Sequence, residues 1–294
     1  MATDYLVPTS LEEAVSALAA AGDRRPVVVA GGTDVYPARV GRDVPDVVLD
    51  ITRIGDLRGV EEVVAADGSR WVRIGACTTW SDLVTADLPS GFAALPEVAR
   101  QVGAVQVQNV GTIAGNLCTA SPAGDGIPVL LALGAEIELR SSAETRRLAL
   151  DDFVTGYRAT ALRPDELVVA VWLPIPDGRQ QSVFVKFGTR EYLVISLAMV
   201  AVSVVRTDDG ELSDIRIAVG ACSPVARRLG KVERLVLAAQ RSGVPVAVTR
   251  SDCEELAPID DVRCSADYRR DLVPELVGRA LVACGVPVDE RSGR

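Results

Sequence analysis

Near the start of the chain, apolar Leu11, Ala14, Val15 and Leu18 recur at helical spacing. Ser10 with Glu13 three residues on forms a capping-box pair ahead of them, and Gly22 stands at the stop, so the pattern predicts a helix. The runs RPVVVAGG, DVVLDI and RWVRIGA then read as strands, while TTWSDLVTADL and ALPEVARQVG, ending at Gly103, read as helices. From Gln106 to Pro128 the periodicity fades into QVQNVGTIAGNLCTASPAGDGIP, which reads as a long irregular stretch of the kind that usually carries function. Regular patterning returns in PVLLALGAEIELRS and ELVVAVWLPIP, and the polar run at 174–181, with two prolines, is the linker candidate.

Beyond it, SVFVKFG and VISLAMVAVSVV are strand-like, and RTDDGEL followed by IRIAVGA signals a hairpin through Asp209 and Gly210. The remainder is largely helical, in KVERLVLAAQ and in ADYRRDLVPELVGRALVA with an expected kink at Pro274. A mixed region of about 175 residues followed by strands and then helices defines an α+β class.

Charge narrows the partners: 31 Lys and Arg against 40 Asp and Glu, a net charge of -9, argue against nucleic acid or an anionic membrane surface. The longest uncharged apolar-rich run, Tyr192 to Val205, is shorter than the roughly 20 residues that span a bilayer, and MATDYLVPTS has no leader pattern. The expectation is a cytoplasmic protein without membrane insertion. Six cysteines are scattered without a CxxC pair, which reads as reduced core filling. Histidine is absent altogether, which excludes Ser-His-Asp, Cys-His and His-zinc chemistry and leaves the chemistry of an enzyme to a bound cofactor.

AGGTD (30–34) and GTIAGN (111–116) share small residues and a hydroxyl, at Thr33 and Thr112. Such loops can turn peptide N–H groups toward an anion because no Cβ obstructs them. Neither is a GxGxxG or a P-loop, so a diphosphate here would be held by peptide dipoles, as suits a resident dinucleotide. Taken alone, each loop is more often a plain turn. Asp125 beyond them suits a sugar hydroxyl, as acidic residues bind ribose in dinucleotide folds, or equally a solvated loop or cap position.

Taken together, AGGTD, IGACTTWSDL, QVQNVGTIAGNLCTASPAGDGIPVLLALGAEIEL, FVTGYRATALRPDELV, FVKFGTREYLVISLAMVAV and DVRCSADYRRDLV resemble, in order and spacing, the FAD-binding medium subunit of molybdenum hydroxylases, the xanthine dehydrogenase and carbon monoxide dehydrogenase group. The resemblance implies an FAD-binding domain of the vanillyl-alcohol-oxidase and p-cresol-methylhydroxylase type at 1–176, in subdomains of about 1–57 and 58–176. A small sheet-and-helices domain of the carbon monoxide dehydrogenase flavoprotein type would follow at 177–294.

Carried over by motif, Val28, Val29, Ala30, Gly31, Gly32, Thr33, Asp34 and Val35, with Thr112, Ile113, Ala114, Gly115 and Asn116, would cradle the FAD diphosphate. Asp125 would take a sugar or ribityl hydroxyl, Val102 would pack near the cofactor and Val168 would sit by the flavin ring. Lys186 would lie near the flavin and Tyr192 would cover it; their plain alternatives are a strand-edge lysine and a core or edge tyrosine. The family loop reads TIGGN, so Ala114 would cost roughly 1 kcal/mol if its position required positive φ.

By the same resemblance, the chain is an oxidoreductase subunit with no metal of its own and no catalytic side chain, since N5 of the flavin carries the chemistry. A large partner would hold the molybdenum cofactor and a small one two two-iron two-sulfur clusters, in a dimer of heterotrimers. FAD would pass electrons to NAD, oxygen or a quinone-type acceptor. A stand-alone flavin oxidase and a flavin-less scaffold are the alternatives.

Overall fold

The computed structural model describes residues 3–22 and 24–289; the outermost residues of the two expected domains, 1–2 and 290–294, lie outside it. Strand β1 (Asp4–Leu6) leads into helix α1 (Leu11–Ala21), whose Ser10 cap accepts from the Glu13 backbone and whose Ala14, Val15 and Leu18 are buried. Strands β2 (Val27–Val29) and β3 (Val47–Asp50) complete a parallel three-stranded sheet in the order β1-β3-β2. Buried Val29, Val47 and Leu49 anchor it.

Strands β4 (Val60–Val64) and β5 (Arg70–Gly75) open a second sheet, antiparallel throughout. A bank of short helices follows: α2 (Trp80–Thr85), α3 (Ala94–Ala99), α4 (Val105–Gln108), α5 (Ile113–Thr119) and α6 (Gly126–Ala132). The stretch expected to be irregular between Gln106 and Pro128 is therefore largely helical. Its helices have seven residues or fewer, too short to show a period, and the order comes from tertiary bonds. Ile113 N–H donates to Thr78 O at 3.0 Å and Ala114 N–H to Ala76 O at 3.3 Å.

The second sheet gains β6 (Glu136–Arg140) and β7 (Thr145–Ala149). Helix α7 (Leu150–Phe153) and a small hairpin of β8 (Val154–Gly156) and β9 (Ala159–Thr160) precede β10 (Leu167–Ile175), which enters the middle of the order β4-β5-β10-β6-β7. Only three residues separate it from β11 (Arg179–Phe187), so most of the expected linker at 174–181 is strand.

Strands β11, β12 (Ala198–Arg206), β13 (Leu212–Gly220) and β14 (Arg227–Arg228) form an antiparallel sheet in sequence order, with Gly210 at φ 87° in the expected hairpin. The unbroken apolar run of β12 is explained by burial on both faces. Alternate residues Ala198, Val200, Val202 and Val204 face a cluster built with α8 (Gly230–Arg241) and α9 (Ala266–Ala283). Met199 and Ala201 face the core of the preceding domain. Helix α9 runs on through Pro274. All six cysteines are free, and four are buried.

The last domain is pinned by a buried cation. The Arg269 guanidinium, 3 % exposed, donates from Nε to Leu197 O at 3.1 Å, to Ile259 O, and to Asp261 Oδ2 at 2.9 Å. Burial pushes the Asp261 carboxyl up, but bonds from the Arg263 N–H, Arg269, the Cys264 N–H and the Arg263 side chain outweigh it and hold the group well below the usual carboxylate range. A depressed folded pKa gives stability that is present above the unfolded value of about 4 and is lost as pH falls below it. Asp261→Asn is therefore expected to melt earlier than wild type at neutral pH and to lose less on acidification below about pH 4. Thermal melts across that range check it, and parallel acid limbs would refute it.

Candidate functional site

Strand β2 delivers the chain into Gly31 and Gly32 and there it turns. Gly32 has φ 69°, and a Cβ on it would strike the Tyr36 ring at 2.4 Å. A Cβ on Gly31 would lie 1.8 Å from Val110 O and 2.9 Å from Gly111 Cα. The first glycine loop thus rests directly on the second, backbone against backbone.

The two loops offer different things. Among the described residues, no acceptor meets the backbone N–H groups of Gly31, Gly32, Thr33, Asp34 or Val35. In the second loop the N–H groups of residues 113 to 116 are already engaged: beyond the two bonds of Ile113 and Ala114 given above, Gly115 donates to the Thr112 hydroxyl at 3.1 Å and Asn116 to Thr112 O at 3.1 Å. The free peptide donors therefore belong to the first loop, and the second supplies side chains. One of these, Asn116 Oδ1, is buried without a hydrogen-bond partner. Ala114 has an ordinary helical backbone in α5, so the expected strain of replacing a family glycine there does not arise.

Between the loops lies a cavity of about 590 Å³, within the range of small-molecule sites. It is bordered by Val28, Ala30, Gly31, Gly32, Thr33, Asp34 and Val35 of the first segment. Thr112, Ala114, Gly115 and Asn116 of the second segment, with Val102 and Val168, complete the expected wall. Val29 and Ile113 turn into the core instead, at 3 % and 0 % exposure.

The remaining expected residues lie outside this cavity. Asp125 and Lys186 form a buried ion pair, Nζ to Oδ2 at 2.6 Å, with Asp125 Oδ1 accepting from Ser196 Oγ at 2.7 Å and Lys186 Nζ donating to Gln101 O at 3.3 Å. Burial pushes the Asp125 carboxyl up, against the opposing pull of Lys186 and Ser196. Each carboxylate oxygen thus accepts one bond from protein and keeps a lone pair for a further donor such as the sugar hydroxyl expected there. Tyr192 is 72 % exposed on the β11–β12 connection, and with Lys186 and Gln101 it borders a separate hollow of about 250 Å³.

Half of the cavity's lining residues were not anticipated, and two of them stand out by their chemistry. Trp80 forms part of the wall, packed so close that a Cβ on Gly126 would meet it at 2.5 Å. Arg158 enters from the β8–β9 turn and pairs with Asp34 through two bonds, of 2.9 and 3.3 Å. YRAT was visible as a motif, but nothing local tied its arginine to a loop 124 positions away. A further hollow of about 470 Å³ in the last domain borders Arg269 and Cys253. Burial pushes the thiols of Cys222 and Cys253 to about 12, so neither is a nucleophile at neutral pH.

An α+β scaffold with unpaired peptide donors among the residues of one cavity wall is suited to an anionic cofactor such as a nucleotide. The comparisons make the class specific. Residues 1–176 match the family model "FAD binding domain in molybdopterin dehydrogenase" and residues 183–284 match "CO dehydrogenase flavoprotein C-terminal domain". The nicotine 6-hydroxylase medium subunit of Paenarthrobacter nicotinovorans is 32 % identical, covering 96 % of both chains. The carbon monoxide dehydrogenase medium chain of Afipia carboxidovorans is 30 % identical, covering 95 % of both. A solved carbon monoxide dehydrogenase from Hydrogenophaga pseudoflava superposes with TM-score 0.83 at 28 % identity, over 96 % of this chain and 97 % of that one. The chain belongs to the FAD-binding medium subunits of molybdenum hydroxylases, an oxidoreductase family, and its α+β fold is that of the family.

The residues present fit FAD. Five unpaired N–H groups in a glycine cradle suit a diphosphate, and the orphaned Asn116 oxygen suits a hydroxyl or amide donor. Among the described residues no helix is long and apolar enough to cross a membrane.

Proposed function

We propose that this chain is the FAD-carrying electron-transfer subunit of a cytoplasmic, heterotrimeric molybdenum hydroxylase. The observation that carries the reading is the first glycine loop, whose residues Gly31 to Val35 border the cavity and whose N–H groups meet no protein acceptor among the described residues. Bound FAD supplies two-electron chemistry that no side chain of this histidine-free chain provides. The loop's donors hold the diphosphate, Asn116 accepts a hydroxyl hydrogen, and Val28, Val102 and Val168 shield the apolar part of the cofactor from water.

The division that goes with this reading is an FAD domain at 1–176, with subdomains of about 1–57 and 58–176, and a second domain at 177–294. Electrons would arrive from a small partner with two two-iron two-sulfur clusters, reduced in turn by a large partner with the molybdenum cofactor. They would leave for NAD, oxygen or a quinone-type acceptor, within a dimer of heterotrimers. Supporting this, curated relatives are named medium subunit and medium chain, terms that belong to multi-subunit enzymes. Purification from the native source, with identification of co-purifying chains, metal analysis and a visible spectrum, tests it. The expected result is a yellow-brown complex with one FAD on this chain. A colourless chain that takes up no FAD overturns it.

A further inference from the structure

Across the cavity, one ion pair joins segments that the fold brings together from far apart. Asp34 belongs to the first glycine loop, and Arg158 to the turn between β8 and β9. Among the described residues bordering the cavity, Arg158 is the one cation and Asp34 the one anion. Both side chains are half-exposed, at 46 % and 43 %, so an exposed pair of this kind contributes little to stability by itself.

The backbone nevertheless holds Arg158 in an unfavourable conformation to keep it there. Its φ is 50°, a left-handed value that a non-glycine residue adopts only under strain. Its N–H is fixed to Ala120 O at 3.0 Å, and Ala120, the cap of α5, is itself left-handed at φ 45°. Strain sustained for a weak surface pair points to another purpose. The guanidinium presents five donors in a planar fork; Asp34 engages one N–H on each terminal nitrogen and the neighbouring Tyr157 side chain is a further partner, which leaves the rest of the fork.

We propose that Arg158 is a further binding residue for the FAD diphosphate, aimed by Asp34; this rests on the reading of the cavity as the FAD site. The reasoning is electrostatic. A carboxylate placed in a diphosphate cradle repels the ligand unless it is neutralised, and Arg158 neutralises it while leaving part of its fork for phosphate oxygen. Arg158 thereby makes the site select flavin that carries a diphosphate over flavin that does not.

The test titrates the deflavinated full chain with FAD and with riboflavin, following flavin fluorescence. For Arg158→Gln, FAD is expected to bind at least about tenfold more weakly while riboflavin binding stays unchanged, since only FAD carries the charge that Arg158 meets. Arg158→Lys, which keeps the charge without the fork, is expected to recover part of the loss. If both ligands weaken together, or neither does, Arg158 is a structural strap and the proposal fails. Should Arg158→Gln not fold, the wild-type chain decides. Raising salt from about 50 mM to about 500 mM is expected to weaken FAD more than riboflavin, and an equal response overturns the proposal. A wild-type chain that binds no FAD at all refutes the FAD reading itself, which is a separate outcome.

Discussion

Gly31→Ala is expected to yield a folded but largely colourless protein. The added Cβ would lie 1.8 Å from Val110 O and 2.5 Å from Val110 C. Both are backbone atoms, so no rotamer change relieves the clash, and the two loops must part. Overpacking of this kind costs roughly 1–3 kcal/mol, and the displaced loop is the one with the unpaired donors, so FAD affinity is expected to fall about ten- to a hundredfold. The control is Gly55→Ala, where a Cβ meets nothing within 4 Å. Flavin absorbance relative to protein absorbance, with a titration of the deflavinated chains, measures the difference. A Gly31→Ala chain as yellow as the Gly55→Ala chain would show that the loop contact does not shape the site.

Lys186→Met is expected to produce the largest loss of stability. It leaves the Asp125 carboxylate buried with the Ser196 hydroxyl as its remaining side-chain partner. Removing one member of a buried pair costs about 3–5 kcal/mol, which for a chain of this size lowers Tm by on the order of 10 °C. The damage extends beyond one domain, because Asp125 precedes α6 while Lys186 and Ser196 belong to the β11–β12 region. Adding Asp125→Asn removes the stranded charge and is expected to restore part of the loss.

The sign with pH also follows. A carboxyl whose folded pKa is raised favours the folded state below its unfolded value and loses that advantage as pH rises through the folded value. The deficit of Lys186→Met is therefore expected to shrink on acidification. Melts of the single and double variants at neutral and mildly acidic pH check both points; a pH-independent deficit would refute the assignment.

Elements with a period of their own were legible. Helix α1 announced itself by Ser10, Glu13 and the face of Leu11, Ala14, Val15 and Leu18. The β12–β13 hairpin announced itself by Asp209 and Gly210 between apolar runs. The bank of helices between Val105 and Ala132 was not legible, because each is shorter than the window in which a helical period shows. The polar stretch at 174–181 looked like a linker because composition reports exposure, whereas pairing with β5 at one end and β12 at the other makes most of it strand.

The site divides in the same way. AGGTD and GTIAGN marked both walls of the cavity by their lack of side chains. Which wall keeps free N–H groups depends on the carbonyls of Thr78 and Ala76, residues outside either motif. The supposed penalty at Ala114 vanished because its backbone is part of a helix that the motif does not reveal.

The sequence by itself determined the family, the two glycine loops, the absence of histidine chemistry and the α+β order of elements. All of these are read from residue identity, local spacing and the run of motifs along the chain. Only the tertiary structure decided that Asp125 meets Lys186 across 61 positions and that Asp34 meets Arg158 across 124. Such partnerships follow from the path of the chain through the four sheets of the described residues. A charged residue alone carries no record of its counter-charge, because Coulomb attraction depends on distance in space, not along the sequence.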